Sequence, residues 1–503
     1  MSNICGVIDC NNKLSTNEYF LNLSKDPNAN QKSIFSKTNL YNTFVGICVN
    51  NNDIKIENII YRGVKYTCAF KGEIYNTDEL IQKIRAELGY DPMEIITYGA
   101  VATWCYILWG GFSPKMLMGK FAYSIYSDGI FTSSYHTPKM FIARDRFGFI
   151  PVYYRQNNDC EFVFSTSLGA ILKTGKEKYY IDNKGFWQIF YLDGKSLPGY
   201  TLIKDVYELY PGCCAYLDCR DTCKFMVKSY DVFKSNQASD ISIEKLLENS
   251  KSKMQICENT KRLEVNSDVC LPEMIDESVK TTHYPILPSI YNCLKNSQYN
   301  GVIYSDIGCE LLNRKSLIAM KGFFPWISDP YANLDLLNNE NLDSENGFDF
   351  INSYRLNITD ISKESYYQES IYRFYLPMTL KHIESCADKF NISVKYPFCD
   401  CAVYSYLKRN GEIFDESIYR SKPFEFDFKN CINIKESEYA QALSEKLEKL
   451  SASSDSVINY LCDKKSLTDA ITSYANIKTQ YLLYATHSFV EEFCLDIMPC
   501  RDC

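Results

Sequence analysis

The chain has 503 residues, 46% of them hydrophobic, and a net charge of −8. That is ordinary for a folded chain and long enough for two or three cores rather than one. The acidic balance offers no basic stripe for phosphates, which argues against a nucleic-acid partner. The most apolar stretch, residues 101–109, is far short of the ~20 residues that a membrane span needs.

Taken in chain order, the N-terminal MSNICGVIDCNN has no basic region followed by an apolar block, so no secretory signal is read. The expectation is a soluble, cytoplasmic protein whose 22 cysteines stay as thiols. Cys5 is read as standing at the start of the first strand. Helices are expected at about 78–88 and 94–108. Strands follow at 120–126, 139–143, 152–155 and 161–165, runs dense in aromatic and β-branched residues between Gly, Pro, Asn and Asp. Residues 232–268 turn polar and read as a linker with one helix. Beyond 280 helical periodicity dominates, and Leu443, Leu447 and Leu450 form one apolar stripe. Two cysteine clusters have the compactness of metal ligands: Cys213, Cys214, Cys219 and Cys223, then Cys500 and Cys503. The alternative is small apolar packing. With only four histidines (His136, His283, His382, His487) and no short-spaced pair, no metal site is expected.

Three ordered segments carry a resemblance. They are Cys5-Gly6-Val7-Ile8, then Gly72-Glu73-Ile74-Tyr75-Asn76, then Gly119-Lys120-Phe121-Ala122-Tyr123 running on to Ala143-Arg144-Asp145-Arg146-Phe147-Gly148. Leu209-Tyr210-Pro211-Gly212 closes the stretch. It resembles the class II glutamine amidotransferase domain of the glutamine-dependent asparagine synthetases. The resemblance implies an αββα, Ntn-hydrolase-like sandwich over 1–230. It makes Cys5 the candidate nucleophile, and Gly72 and Glu73 the substrate-binding residues, Glu73 for the substrate ammonium. In that family the base is the cysteine's own α-amino group, with a pKa near 8. Here four residues precede Cys5, so that chemistry would need cleavage after Ile4. The family's oxyanion-hole Asn is Lys71 here, and the acidic partner of its Glu aligns with Pro92. The retained Arg144 and Asp145 are read as an ion pair that fixes a strand end.

Residues 231–503 resemble, in patches, the family's ATP-pyrophosphatase half: Val302-Ile303-Tyr304-Ser305-Asp306-Ile307-Gly308-Cys309-Glu310, Val394-Lys395-Tyr396-Pro397-Phe398-Cys399-Asp400, and Arg420-Ser421-Lys422-Pro423. The resemblance implies ATP and Mg as cofactors, with Ser305, Glu310 and Lys422 on the phosphate side. It also implies glutamine and aspartate as substrates, and a homodimer. A phosphate loop of Ser-Gly-Gly-x-Asp-Ser type needs glycines, so that N–H groups converge on the pyrophosphate. No Ser-Gly-Gly occurs in the chain, and residues 241–270 hold no glycine. The loop, with its following strand and helix, reads as deleted.

The expected architecture is a two-domain α+β/α/β chain. A sandwich at 1–230 precedes a reduced doubly wound α/β and helical domain at 231–503. The expected function is an asparagine synthetase homologue, amide transfer from glutamine to aspartate with ATP by resemblance, with both sites degraded. Two alternatives stay open: a non-catalytic binding or regulatory protein, or an amidotransferase that becomes active after cleavage before Cys5.

Overall fold

A computed structural model of the chain describes residues 3–9, 34–40, 43–49, 56–92, 96–128, 139–156, 161–172, 178–218, 224–230, 241–263, 272–286, 289–296, 301–312, 342, 344–353, 368–410, 436–453, 456–462, 464–472 and 477–498. The chain divides into two compact units. The first is Met1–Lys176 with Asp205–Lys234, and the second is Glu177–Lys204 with Ser235–Cys503. The segment Glu177–Lys204, which the sequence places in the first domain, therefore packs with the second unit.

The first unit is built on two antiparallel sheets. Its strands, in chain order, are β1 (Ile4–Asp9), β2 (Ile34–Leu40), β3 (Thr43–Val49), β4 (Ile56–Tyr61), β5 (Val64–Ile74), β6 (Gly119–Ser127), β7 (Lys139–Arg144), β8 (Tyr153–Gln156), β9 (Glu161–Ser165), β10 (Tyr207–Glu208), β11 (Cys213–Asp218) and β12 (Lys224–Ser229). One sheet has the order β10-β8-β9-β1-β3-β2, the other β12-β11-β7-β6-β5-β4. Strands β1 and β3 of the first pack against β5 of the second.

The period-2 pattern of β6 explains how its sheet is used. Phe121, Tyr123 and Ile125 point to one face and join Cys68, Phe70 and Ile74 of β5 in a core. Helices α1 (Thr77–Leu88) and α2 (Tyr98–Trp109) cover that core with Leu80, Ile84, Val101 and Trp104. Each such side chain contributes about 1.5–3 kcal/mol by leaving water. Helix α2 starts where Thr97 Oγ1 accepts from Ala100 N at 3.0 Å, and it stops at Gly110. The short helix α3 (Leu168–Leu172) packs on β8 and β9 of the other sheet.

The second unit holds helices around a small parallel sheet. Helix α4 (Asn183–Tyr191) comes from the transferred segment, and α5 (Ile243–Lys253) follows. Strand β13 (Lys261–Arg262) pairs in parallel with β14 (Gly301–Tyr304), which pairs in parallel with β15 (Ile392–Lys395). Helix α6 (Pro272–Thr282) follows β13, and α7 (Leu376–Lys389) leads into β15. Helices α8 (Glu436–Ser451) and α9 (Ile477–Glu492) complete the part that matters here, with Leu443 and Leu447 of α8 buried as the stripe predicts.

Within 241–270, the segment that holds no glycine, the structure places α5 and the two-residue strand β13, and α6 begins after it at Pro272. Both residues of β13 are basic, so no apolar run announces it.

Candidate functional site

Cys5 is the second residue of β1. It pairs with Cys48 of β3 on one side and Ser165 of β9 on the other. Its side chain is 0% exposed, and Cys5 Sγ lies 3.2 Å from Ser165 Oγ, which itself accepts from Ser167 N at 3.0 Å. The residues before it are as firmly held. Ile4 N donates to Thr166 Oγ1 at 3.0 Å, Thr166 N donates to Ile4 O at 2.9 Å, and Ile4 faces Val49 across the ladder. Asn3 and Ile4 are 2% and 1% exposed. The nitrogen of Cys5 is thus a peptide nitrogen in the middle of a sheet.

Gly72 and Glu73 lie at the end of β5. Gly72 has φ of 116°, a conformation open to glycine. A Cβ there would sit 2.0 Å from Lys120 O, and a Cβ on Gly119 would sit 2.1 Å from Glu73 O. The two glycines let β5 and β6 close on each other. The register then puts Gly72 opposite Phe121 and Glu73 opposite Lys120. Cys5 belongs to one sheet, Gly72 and Glu73 to the other. Asn76, the end of the same motif, is committed to the fold. Its amide donates to Met116 O at 3.0 Å, and its carbonyl accepts from Met118 N at 2.9 Å, fastening the approach to β6.

The turn after β7 is a buried polar knot. Arg144, 0% exposed, lies 2.6 Å from Glu208 and donates to Leu209 O at 2.6 Å and Gly148 O at 3.0 Å. Tyr230 closes it by donating to Arg144 O. Asp145 Oδ1 accepts from the N–H groups of Phe147, Gly148 and Phe149, and Oδ2 from those of Phe121 and Ile150. Burial pushes the Asp145 carboxyl up to about 6, against the pull of Arg144 and these donors. Arg146 donates to Leu117 O and Lys115 O. The expected ion pair exists, with a different partner: the salt bridge of Arg144 is to Glu208, while Asp145 gathers backbone donors. Sequence reasoning missed Glu208 because it is 64 residues away from Arg144, although it sits just before the noted Leu209-Tyr210-Pro211-Gly212.

In the second unit, Ser305 and Asp306 follow β14. Ser305 is buried, and its Oγ accepts from Ile307 N at 3.2 Å inside its own turn. Arg262 of β13 holds Asp306 at 2.5 Å, and Lys253 lies 3.7 Å from Asp400 beyond β15. Glu310 lies in the 3-10 turn Cys309–Leu312, beside the buried Leu311. Lys422 lies outside the described residues, as do Cys219, Cys223, Cys500 and Cys503. Cys213 and Cys214 are buried in β11. Among the described residues no group of three or more His, Cys, Asp or Glu could hold a metal ion. Among the described residues, these donors do not supply the paired carboxylates and converging N–H groups that a magnesium pyrophosphate asks for. The one carboxylate next to Ser305 is already matched by a guanidinium.

No helix among the described residues is long and apolar enough to cross a membrane. Residues 1–230 match the family described as the glutamine amidotransferase domain. A stretch of 151 residues is 30% identical to asparagine synthetase [glutamine-hydrolyzing] 3 of Bacillus subtilis (strain 168), covering 30% of this chain and 23% of that protein. The chain thus spans about a quarter of the length of that relative. Among solved structures, the allosteric regulatory enzyme of purine biosynthesis matches with 10% identity and a TM-score of 0.32. The glutamine phosphoribosylpyrophosphate amidotransferase from B. subtilis, complexed with ADP and GMP, matches with 12% identity and a TM-score of 0.33. Each of the two covers 60% of either chain. Scores of this size establish no shared fold. Residues 1–230 thus match a glutamine amidotransferase domain, and over 151 residues the chain is similar to a glutamine-hydrolysing asparagine synthetase.

Proposed function

We propose that this chain is an asparagine synthetase homologue whose glutamine-hydrolysing site is impaired, and that its first unit binds an amino-acid ligand rather than hydrolysing it. One observation carries the reading: Ile4 and Asn3 are buried and Ile4 is hydrogen-bonded on both sides of its peptide, directly before Cys5. A thiol nucleophile needs a base within hydrogen-bond reach. The peptide nitrogen of Cys5 has no lone pair to offer, and the Ser165 hydroxyl beside Cys5 Sγ is no base at neutral pH. Cleavage after Ile4 would free an amine, but it would also strip the bonds of Ile4 to Thr166 and leave buried partners exposed or unpaired.

The second unit supports the same conclusion for ATP-driven amide formation. Segment 241–270 has no glycine with which to wrap a pyrophosphate. Asp306 and Asp400 are engaged by Arg262 and Lys253. Thirteen cysteines among the described residues are free thiols, which suits a reducing compartment such as the cytoplasm.

The test uses a glutamine-shaped alkylating agent. The full chain is incubated with 6-diazo-5-oxo-L-norleucine, and intact mass is measured. No adduct at Cys5 is expected. A stoichiometric adduct on Cys5, absent from Cys5→Ala, contradicts the proposal.

A further inference from the structure

We propose that His382 is an acid-sensitive latch of the second unit. Neutral, it lets the turn at 192–197 close on helices α6 and α7; protonated, it opens that turn while β14 and β15 stay paired. The latch lies wholly in the second unit and is independent of how the first unit treats glutamine.

Helix α4 ends at Tyr191, and the chain reverses through Asp193 and Gly194, both at positive φ. A Cβ on Gly194 would sit 2.0 Å from Pro285 O, so a glycine is what lets the turn approach the chain leaving α6. The approach leaves Ser196 and Leu197 0% exposed. Lys381 Nζ of α7 donates to Ser196 Oγ at 3.0 Å, and Ser196 Oγ donates to Tyr284 OH at 3.1 Å. The same ammonium lies 4.8 Å from the centre of the Tyr284 ring. That ring packs edge-on against His382, with centroids 4.9 Å apart. The turn, the chain after α6 and the middle of α7 thus meet in one cluster of four buried polar side chains, Ser196, Tyr284, Lys381 and His382.

His382 is the weak point of that cluster. Its Nε2 is buried and has no hydrogen-bond partner among the described residues. The charges that act on the ring are both positive: Lys381 beside it on α7, and Lys195, which shares the turn with Asp193. The other titratable groups on the elements packed against α7 are engaged elsewhere. Asp276 of α6 accepts from Tyr484, and Glu277 from Lys295 and Tyr291 of the helix Ser289–Asn296. Glu369, just before the turn Ile371–Tyr375, meets Arg373 and Tyr404, and His283 packs on Phe493. Glu384 of α7 accepts from Tyr396, and β15 ends in a further cation, Lys395. A proton on His382 is therefore a third positive charge in a space closed to water.

Lifting the turn relieves it. Opening takes Lys195 away and hydrates the imidazole, which then returns to its ordinary pKa of about 6.5. An open state that takes up a proton refused by the closed state gains population as pH falls. The opening constant grows as one plus ten to the power of 6.5 − pH, so it should rise about 30-fold between pH 7.5 and pH 5.0.

The experiment is hydrogen exchange of the full chain, followed by mass spectrometry and corrected for the intrinsic pH dependence of exchange. The reporter is the Leu197 amide, which donates to Gln188 Oε1 at 2.8 Å in the closed turn. The reference is the amides of β14 and β15, which pair with each other. Protection at Leu197 is expected to fall about 30-fold from pH 7.5 to pH 5.0 while the reference holds, and to fall less than about threefold in His382→Gln. Unchanged protection at Leu197 overturns the inference. So does an equal fall in folded His382→Gln, or a fall shared by β14 and β15, which is global unfolding. If His382→Gln does not fold, the pH profile of the unmodified chain decides. The latch gives a loss of about tenfold per pH unit that sets in near pH 6.5; a loss that sets in only below about pH 5 belongs to a carboxylate and overturns it.

Discussion

Asp145→Asn is a one-atom substitution with a large expected cost. The carboxylate oxygens of Asp145 receive five backbone N–H groups, three on Oδ1 and two on Oδ2. An asparagine can keep only one carbonyl oxygen. Its best placement leaves the amide NH₂ facing the N–H groups of Phe121 and Ile150, donor against donor, with both sites buried. Each orphaned buried donor costs about 1–3 kcal/mol, so the substitution should cost about 2–6 kcal/mol. A typical domain has only about 5–15 kcal/mol in total. Calorimetric unfolding at pH 8 reads this cleanly, since the carboxyl, pushed up to about 6 by burial, is then ionised in the folded chain. Asp91→Asn is the control. It removes an exposed pair with Arg85 at 2.5 Å, and should cost less than about 1 kcal/mol. If Asp145→Asn is no more destabilising than Asp91→Asn, the view of this turn as the structural knot of the first unit is wrong.

Three further outcomes follow from particular groups. Gly72→Ala should destabilise the first unit by about 1–3 kcal/mol or more, through its positive φ and a Cβ 2.0 Å from Lys120 O; an unchanged melt refutes the close approach of β5 and β6. Under native conditions iodoacetamide should modify the exposed Cys257, whose thiol is drawn below its usual range by Thr260, while Cys5 reacts only after unfolding; peptide mass mapping that finds Cys5 modified first contradicts its burial. His382 gives a pH dependence. Burial, then Lys381 and Lys195, hold its pKa well below 6.5, and the ring of Tyr284 packs edge-on against it. The unfolded chain then takes up a proton that the folded chain refuses. Stability should fall as pH drops below about 6.5, and His382→Gln should flatten that slope; an identical slope in the variant refutes the assignment.

Much of the first unit was legible because its signals are local. The strands expected at 139–143 and 161–165 form at Lys139–Arg144 and Glu161–Ser165, since aromatic runs between turn residues mark them. The second helix begins four residues later than expected, because Thr97, not a residue near 94, supplies the capping oxygen. Glu208, Lys120 and β13 were not legible, for three different reasons. Glu208 is a distant partner that only the fold brings to Arg144. Lys120 stands at a polar position of an alternating strand, where a lysine reads as solvated until the second sheet covers it. Strand β13 is too short to carry any period. Cys5, Gly72 and Glu73 stand out in the sequence as motif residues. What surrounds Cys5, namely Ser165 and the bonds of Ile4 to Thr166, is set by strand pairing across 160 residues, and no local pattern announces it.

The most direct test is glutamate release from L-glutamine by the purified full chain, measured against Cys5→Ala at neutral pH, with the intact mass of the same sample recorded. The account predicts equal, background rates for the two proteins when the chain retains residues before Cys5. Turnover by the unmodified chain, above Cys5→Ala and with Ile4 still attached, would contradict it.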